Sequence, residues 1–147
     1  MRRRMMIVVV GVAILAVVAL SLLSCWPAIN VVETGKTPEY PDIAPRRYEA
    51  TVERVFDATL HAVNRLPRWS LRSYQPETRE IHAEARTRLF QFVDDVHVRV
   101  TNQGDEAVVQ VRSASRVGKG DFGQNARNIR ALFGAIDEQM QASDGHR

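Results

Sequence analysis

Three arginines, Arg2, Arg3 and Arg4, stand before an uncharged run of 19 residues, Met5 to Leu23, interrupted only by Gly11 and Ser21. No other feature restricts the chain as strongly. A bilayer core takes about 20 such residues as one helix, whereas the apolar part of a cleaved secretory signal is about 7–15 residues long. The run therefore predicts a membrane anchor over residues 1–24. Flanking basic residues stay on the cytoplasmic side, so everything after Ser24 is expected on the far side of the membrane.

The only cysteine, Cys25, follows "LLS", with Leu22 three residues before it and the small Ser24 adjacent. That arrangement resembles a bacterial lipobox, in which the cysteine is lipidated and becomes the new N-terminus. The residues leave two tethers open, an uncleaved helix or a lipid on Cys25. A lone cysteine excludes an intramolecular disulfide. The net charge of +3 belongs to the anchor: without Arg2, Arg3 and Arg4 the chain carries 17 basic and 17 acidic residues. A nucleic-acid surface needs a basic excess, so nucleic acid is not an expected partner.

Residues 25–45 hold Pro27, Pro38, Pro41 and Pro45, four of the six prolines. Proline fixes φ and removes a donor, so this stretch reads as an extended linker. The folded domain is expected over residues 46–140, with 141–147 a flexible tail. "RRYEAT" reads as a first strand, and Thr51 as the N-cap of a helix whose apolar residues are Val52, Val55, Phe56, Val63 and Leu66, ended by Pro67. Trp69, Leu71 and Ser73 alternate with polar neighbours, "QPETRE" is turn chemistry, and Ile81, Ala83 and Ala85 alternate again. "RLFQF" then continues or bulges that strand. Val96, Val98 and Val100 form the clearest period-two run, with "NQGDE" turning the chain so that Val109 and Val111 return antiparallel. Ile129, Leu132, Phe133, Ile136 and Met140 define a final amphipathic helix, with Asp121 and Gln124 as a capping box. The fold class is thus α+β: a single antiparallel meandering sheet with two helices packed on one face, preceded by an N-terminal transmembrane helix.

Three groups of residues could carry chemistry. Gly118, Gly120 and Gly123 match G-x-G-x-x-G, but only one helix and "QASDGHR" follow, so the second parallel strand of a dinucleotide fold is missing. An anion held at the helix start, with Lys119 and Arg116 nearby, and a plain turn capped by Asp121 both remain open. Asp94 and Asp95 are neighbours on a strand and point to opposite faces, so without a bulge they form no acid–base pair; one is expected to cap a turn and the other to face Arg112 or Arg116 across the sheet. In "RSASR", Arg112 and Arg116 share one parity and Ser113 and Ser115 the other. No histidine stands in a hydrolase motif with either serine, and no ligand spacing matches a metal set. No catalytic residue, metal or cofactor is therefore expected.

"LFQFVDDVHVRV" and "VQVRSASRVGKGDFGQNARNI" together resemble the uncharacterised bacterial family called domain of unknown function 1499. The matching residues are Phe90, Phe92, Asp94 and Asp95, then Arg112, Ser113, Ser115, Arg116, Gly118, Asp121, Gly123 and Asn125. His97 stands where the family often has an acid and Asn128 where it often has a base. Gly120 lies outside the pattern. The resemblance implies a small membrane-associated or exported bacterial domain without established activity. With the anchor, it implies a single-pass inner-membrane protein whose C-terminal domain is periplasmic, or one lipid-anchored through Cys25.

The expected function is binding rather than catalysis. Asp94, Asp95, Arg112, Ser113, Ser115, Arg116, Asp121 and Asn125 would hold a small anionic ligand or an envelope protein, with the arginines taking the anion. Two alternatives stand beside it. An envelope hydrolase would use Ser113 or Ser115, given a histidine or carboxylate in hydrogen-bond reach. A scaffold would expose an apolar patch on the sheet face away from the helices.

Overall fold

Period-two alternation of valine is what a strand buried on one side requires, and the computed structural model, which describes residues 2–24, 29–118 and 120–144, carries it in its two longest strands. The elements in chain order are α1 (Arg2–Ser24), β1 (Val31–Glu33), β2 (Arg46–Tyr48), α2 (Val52–Arg65), β3 (Trp69–Gln75), β4 (Glu80–Arg86), β5 (Val93–Gln103), β6 (Glu106–Ser115) and α3 (Gln124–Asp144). Strands β3 to β6 form an antiparallel meander. Ile81, Ala83 and Ala85 of β4, Val96, Val98 and Val100 of β5, and Val109 and Val111 of β6 share one buried cluster with α2 and α3. Both helices therefore cover the same face, and they also pack on each other. The fold is α+β with an antiparallel sheet and three helices, as expected.

Helix α2 has its cap written locally. Thr51 Oγ1 accepts from the Arg54 amide at 3.3 Å and opens α2. Pro67 stands just past the last residues of that helix, where its ring no longer clashes with helical carbonyls. The buried face of α2 is Val52, Val55, Phe56, Thr59, Ala62 and Val63, and that of α3 is Ala126, Ile129, Leu132, Phe133, Ile136 and Met140.

Three expectations are corrected. The stretch read as a linker supplies β1, which pairs with residues 112–114 of β6, while β2 pairs with residues 107–109. Two short strands thus share one sheet edge. Val32 is fully buried, and Thr34 extends the pairing through two bonds with Val111. The tail begins later than expected, because α3 runs to Asp144; residues 145–147 lie outside the described residues. Finally, β3 does not keep one alternation. Its register shifts between Leu71 and Ser73, a bulge that leaves Leu71 opposite Ala83 but Ser73 opposite His82. The extra residue is Arg72, and beyond it the parity is reversed.

The apolar run is helical over the whole of α1. From Val9 to Ser21 every residue is exposed, with Leu15 72% accessible. The transmembrane expectation is not met within these limits. Among the described residues no helix is long and apolar enough to cross a membrane.

Candidate functional site

Strand parity divides the eight expected site residues between two places. Asp94, Ser113 and Ser115 share the parity of the core valines and point toward the start of α3. There Asn125 and Asn128, three residues apart, present one helix face. The Ser113 hydroxyl donates to Asn125 Oδ1 (2.6 Å), and Asn125 Nδ2 donates to the Asn30 carbonyl and to Ser115 Oγ (both 2.9 Å). Ser115 donates to Asp94 Oδ1 (2.7 Å), and Asn128 Nδ2 donates to Asp94 Oδ2 (2.8 Å) and Ser113 Oγ (3.3 Å). Asp94, Ser113, Asn125 and Asn128 are all buried. Burial pushes the Asp94 carboxyl above its usual range, against the two hydrogen bonds that favour its charge. This is a closed polar network, each member satisfied by another.

Asp95 and Arg116 lie on the opposite face of the sheet. Arg116 Nε donates to Asp95 Oδ2 (2.9 Å), and its terminal nitrogen reaches Asp95 Oδ1 (2.5 Å) and Glu84 Oε1 (2.6 Å). Glu84 also accepts from Arg72, whose hydrogen bond is the main reason its carboxyl sits at about 2. The expected anion-binding fork of Arg116 is thus fully engaged by carboxylates. Arg112 is exposed beside His97 and Gln110, and among the described residues nothing pairs with it. It stands on the other side of the sheet from Ser113, Ser115 and Asn125, so the eight residues form no single pocket.

The glycine turn resolves in favour of the cap. Asp121 Oδ1 accepts from the Gly123 amide (2.9 Å) and Oδ2 from the Asn125 amide (2.5 Å), filling the donors an anion would use. Gln124 does not return the bond, since it engages Asn128 and Arg127. Gly118 (φ +91°) and Gly123 (φ +74°) take left-handed backbone that favours glycine. Lys119 lies outside the described residues.

A cleft of about 420 Å³ does open beside this network, between the loop 87–92 and the loop 116–123. "RLFQF" does not continue β4. It is a loop closed at its base, where Thr87 N donates to the Phe92 carbonyl and Phe92 N to Thr87 Oγ1 (both 2.9 Å). Leu89 (79% accessible), Phe90 (68%), Phe92 (49%), Val117 (62%) and Phe122 (60%) stand exposed around the opening. Phe90 and Phe92 stack with centroids 5.5 Å apart. Gln91 (φ +55°) and Phe122 (φ +50°) hold left-handed backbone without being glycine, a strain that the surrounding structure has to maintain. Asp94, Ser115, Asp121 and Gln124 line the polar part of the cleft, and Arg88 and Arg127 its remaining wall.

The signature of the family described as Protein of unknown function (DUF1499) matches residues 21–136. The chain belongs to this family. No curated protein matches it. Among solved structures, the crystal structure of TTHA0849 from Thermus thermophilus is similar at 12% identity and a TM-score of 0.48, covering 77% of this chain and 98% of that one.

Two further groups in this DUF1499 domain escaped the sequence reading. His82 and His97 stand directly opposite each other on β4 and β5, with rings stacked at 4.3 Å. Together with Glu80 their ligand atoms lie within 4.8 Å of one another, a donor set suited to a divalent transition ion. Arg99 already holds Glu80, however, and Arg112 adds a second cation to this face. Burial and the neighbouring His82 keep the His97 pKa low. A cross-strand set has no sequence spacing by which to find it. The other missed residues, Asn128, Glu84 and Arg72, complete networks whose first members were expected. Cys25 lies outside the described residues. Leu89, Phe90, Phe92, Val117 and Phe122 cluster at the loop end, while the outer sheet face carries Glu80, Glu84, Asp95, Arg99 and Arg112, contrary to the apolar face a scaffold would show.

Proposed function

We propose that this DUF1499 protein is a membrane-tethered extracytoplasmic binding domain whose site is the cleft between loops 87–92 and 116–123. Its ligand is an amphiphile: an apolar body against Leu89, Phe90, Phe92, Val117 and Phe122, and an anionic group at Arg88. The observation that carries this is the exposure of those five large side chains around one opening. Contiguous apolar surface of this kind on a small domain marks a binding site. Among the described residues no ion pair engages Arg88, which leaves its charge for a ligand. The uncharged run after Arg2, Arg3 and Arg4 supports the tether, and with the bacterial family it supports the inner membrane with the domain in the periplasm. The arginines first expected to bind an anion, Arg112 and Arg116, give way here to Arg88.

A hexyl phosphate bearing a terminal diazirine tests this reading on the full chain in nanodiscs. Irradiation should place adducts on residues 89–92 and 117–122, and Arg88→Gln should reduce them severalfold. Adducts spread evenly over the domain, or absent from both loops, would sink the proposal.

One observation favours a hydrolase as the second reading. Ser115 donates to a carboxylate at 2.7 Å, and both residues line the cleft. Asp94, held above the usual carboxylate range by burial, would take the Ser115 proton as general base. Labelling of Ser115 by a fluorophosphonate, abolished in Ser115→Ala and Asp94→Asn, supports catalysis; an unlabelled Ser115 refutes it.

A further inference from the structure

The point at which the chain enters the domain fixes which end of it faces the tether. Asp121 N donates to the Ile29 carbonyl (3.1 Å), Ser115 N to the Asn30 carbonyl (2.8 Å), and Asn30 Nδ2 to the Gly118 carbonyl (3.1 Å). Residues 29 and 30 are therefore bound to the 116–123 loop, one wall of the cleft. Helix α1 ends at Ser24. The five residue steps from Ser24 to Ile29 span at most about 18 Å even when fully extended. The opposite end of the sheet, with its turns at 76–79 and 104–105, lies the length of β5 away. That strand has 11 residues, so the distance is about 35 Å.

We infer that the rim of the cleft docks on the membrane surface, so that the cleft opens into the lipid interface and its amphiphile is a membrane lipid. This rests on the membrane tether proposed above. The chemistry of the rim fits the interface. Leucine and phenylalanine side chains enter the boundary between headgroups and acyl chains, while arginines meet the headgroup phosphates. Leu89, Phe90, Phe92, Val117 and Phe122 supply the first, and Arg88 and Arg127 the second. All of them sit on the two loops nearest the tether except Arg127, which lies in the first turn of α3 beside them. A short tether also holds the rim at high effective concentration against the surface, so a modest patch suffices. No comparable apolar group stands at the far turns, where Pro76, Glu77, Thr78, Arg79, Gly104 and Asp105 are polar or small.

The test places one nitroxide at a time on the full chain in nanodiscs of phosphatidylethanolamine and phosphatidylglycerol. Leu89→Cys, Phe122→Cys and Asp105→Cys are each built on Cys25→Ser, and flotation with lipid checks the anchoring of every variant. Labels at positions 89 and 122 should relax preferentially with oxygen, and the label at 105 with a water-soluble nickel chelate. If the chain floats but all three labels respond to nickel alike, the docking is overturned and the tether stands. Labels at 89 and 122 shielded from both reagents would mean that a protein covers the rim, a second copy or a partner, which also overturns it. If neither these variants nor the parent with Cys25 intact floats, the tether and this inference fall together. Cleft binding is judged separately by the photoadducts.

Discussion

Asn125 is the residue on which the buried polar network turns, and Asn125→Ala is the perturbation that tests it. Its side chain makes three hydrogen bonds, to Ser113, Asn30 and Ser115. It is fully buried, as is Ser113, so water does not replace the lost partners. At a net of about 1 kcal/mol per bond the loss is about 3 kcal/mol. The Ser113 hydroxyl loses its acceptor, which moves the figure upward; the Asn30 carbonyl keeps the Ser115 amide, which limits it. Against a typical stability of about 5–15 kcal/mol this is a large fraction. In urea unfolding of the full chain in micelles, the midpoint should fall by about 2 M for a slope of about 1.5 kcal/mol/M. Arg116→Ala is the internal control, since that side chain is 47% exposed and its ion pairs contribute at most about 1 kcal/mol. A shift for Asn125→Ala no larger than that for Arg116→Ala would refute the reasoning.

Two pH dependences follow from the outer face of the sheet. Glu84 sits at about 2 in the fold, against 4.5 ordinarily, first through its hydrogen bond from Arg72 and then through Arg116. A depressed acid contributes stability that is complete above pH 4.5 and is lost as pH falls toward about 2. Thermal unfolding from pH 6 to pH 2 should therefore be less steep in Glu84→Gln than in the parent. His97 is held below its ordinary 6.5 by burial first and then by the charge of His82. The unfolded chain takes up that proton first, so stability is complete above pH 6.5 and declines as pH falls below it. His97→Gln should flatten the melting temperature between pH 7 and pH 5, and an unchanged slope there would contradict the burial of the ring.

Where a period runs long enough, the fold is legible from residues alone. Val96, Val98 and Val100, and the helical spacing of Ile129, Leu132, Phe133 and Ile136, each announce one buried face. Val31–Glu33 is too short for any period and is surrounded by prolines, and only pairing with β6 makes it a strand. The bulge at Arg72 is equally silent, because nothing local distinguishes Ser73 on one face from Ser73 on the other. At the site, parity was enough to separate Asp94 from Asp95 and the serines from the arginines. It was not enough to find their partners. Asn128 reaches Asp94 across 34 residues and Arg116 reaches Glu84 across 32, distances at which only tertiary packing decides who meets whom. The apolar letters of "RLFQF" misled for a physical reason: they match a buried strand, yet the loop is closed by Thr87 and leaves them in the open.

The polar residues of the family motif and the apolar residues around the cleft are parts of one construction. Asp94 stands two residues past Phe92, the last residue of the 87–92 loop, and Ser115 stands directly before the 116–123 loop. The hydrogen bond between them, extended through Asn125 and Asn128 into α3 and to Asn30, ties both loop bases, the helix start and the chain entry into a single buried knot. Loops that carry exposed phenylalanines and left-handed Gln91 and Phe122 would otherwise collapse onto one another to bury apolar surface. Fixing their bases from below keeps them apart, and the space between them is the cleft. The motif residues therefore hold geometry, and under the proposed binding role recognition would fall to the side chains they hold up. On this view a motif substitution that loosens the knot changes binding through the width of the cleft, even where the substituted residue touches no ligand.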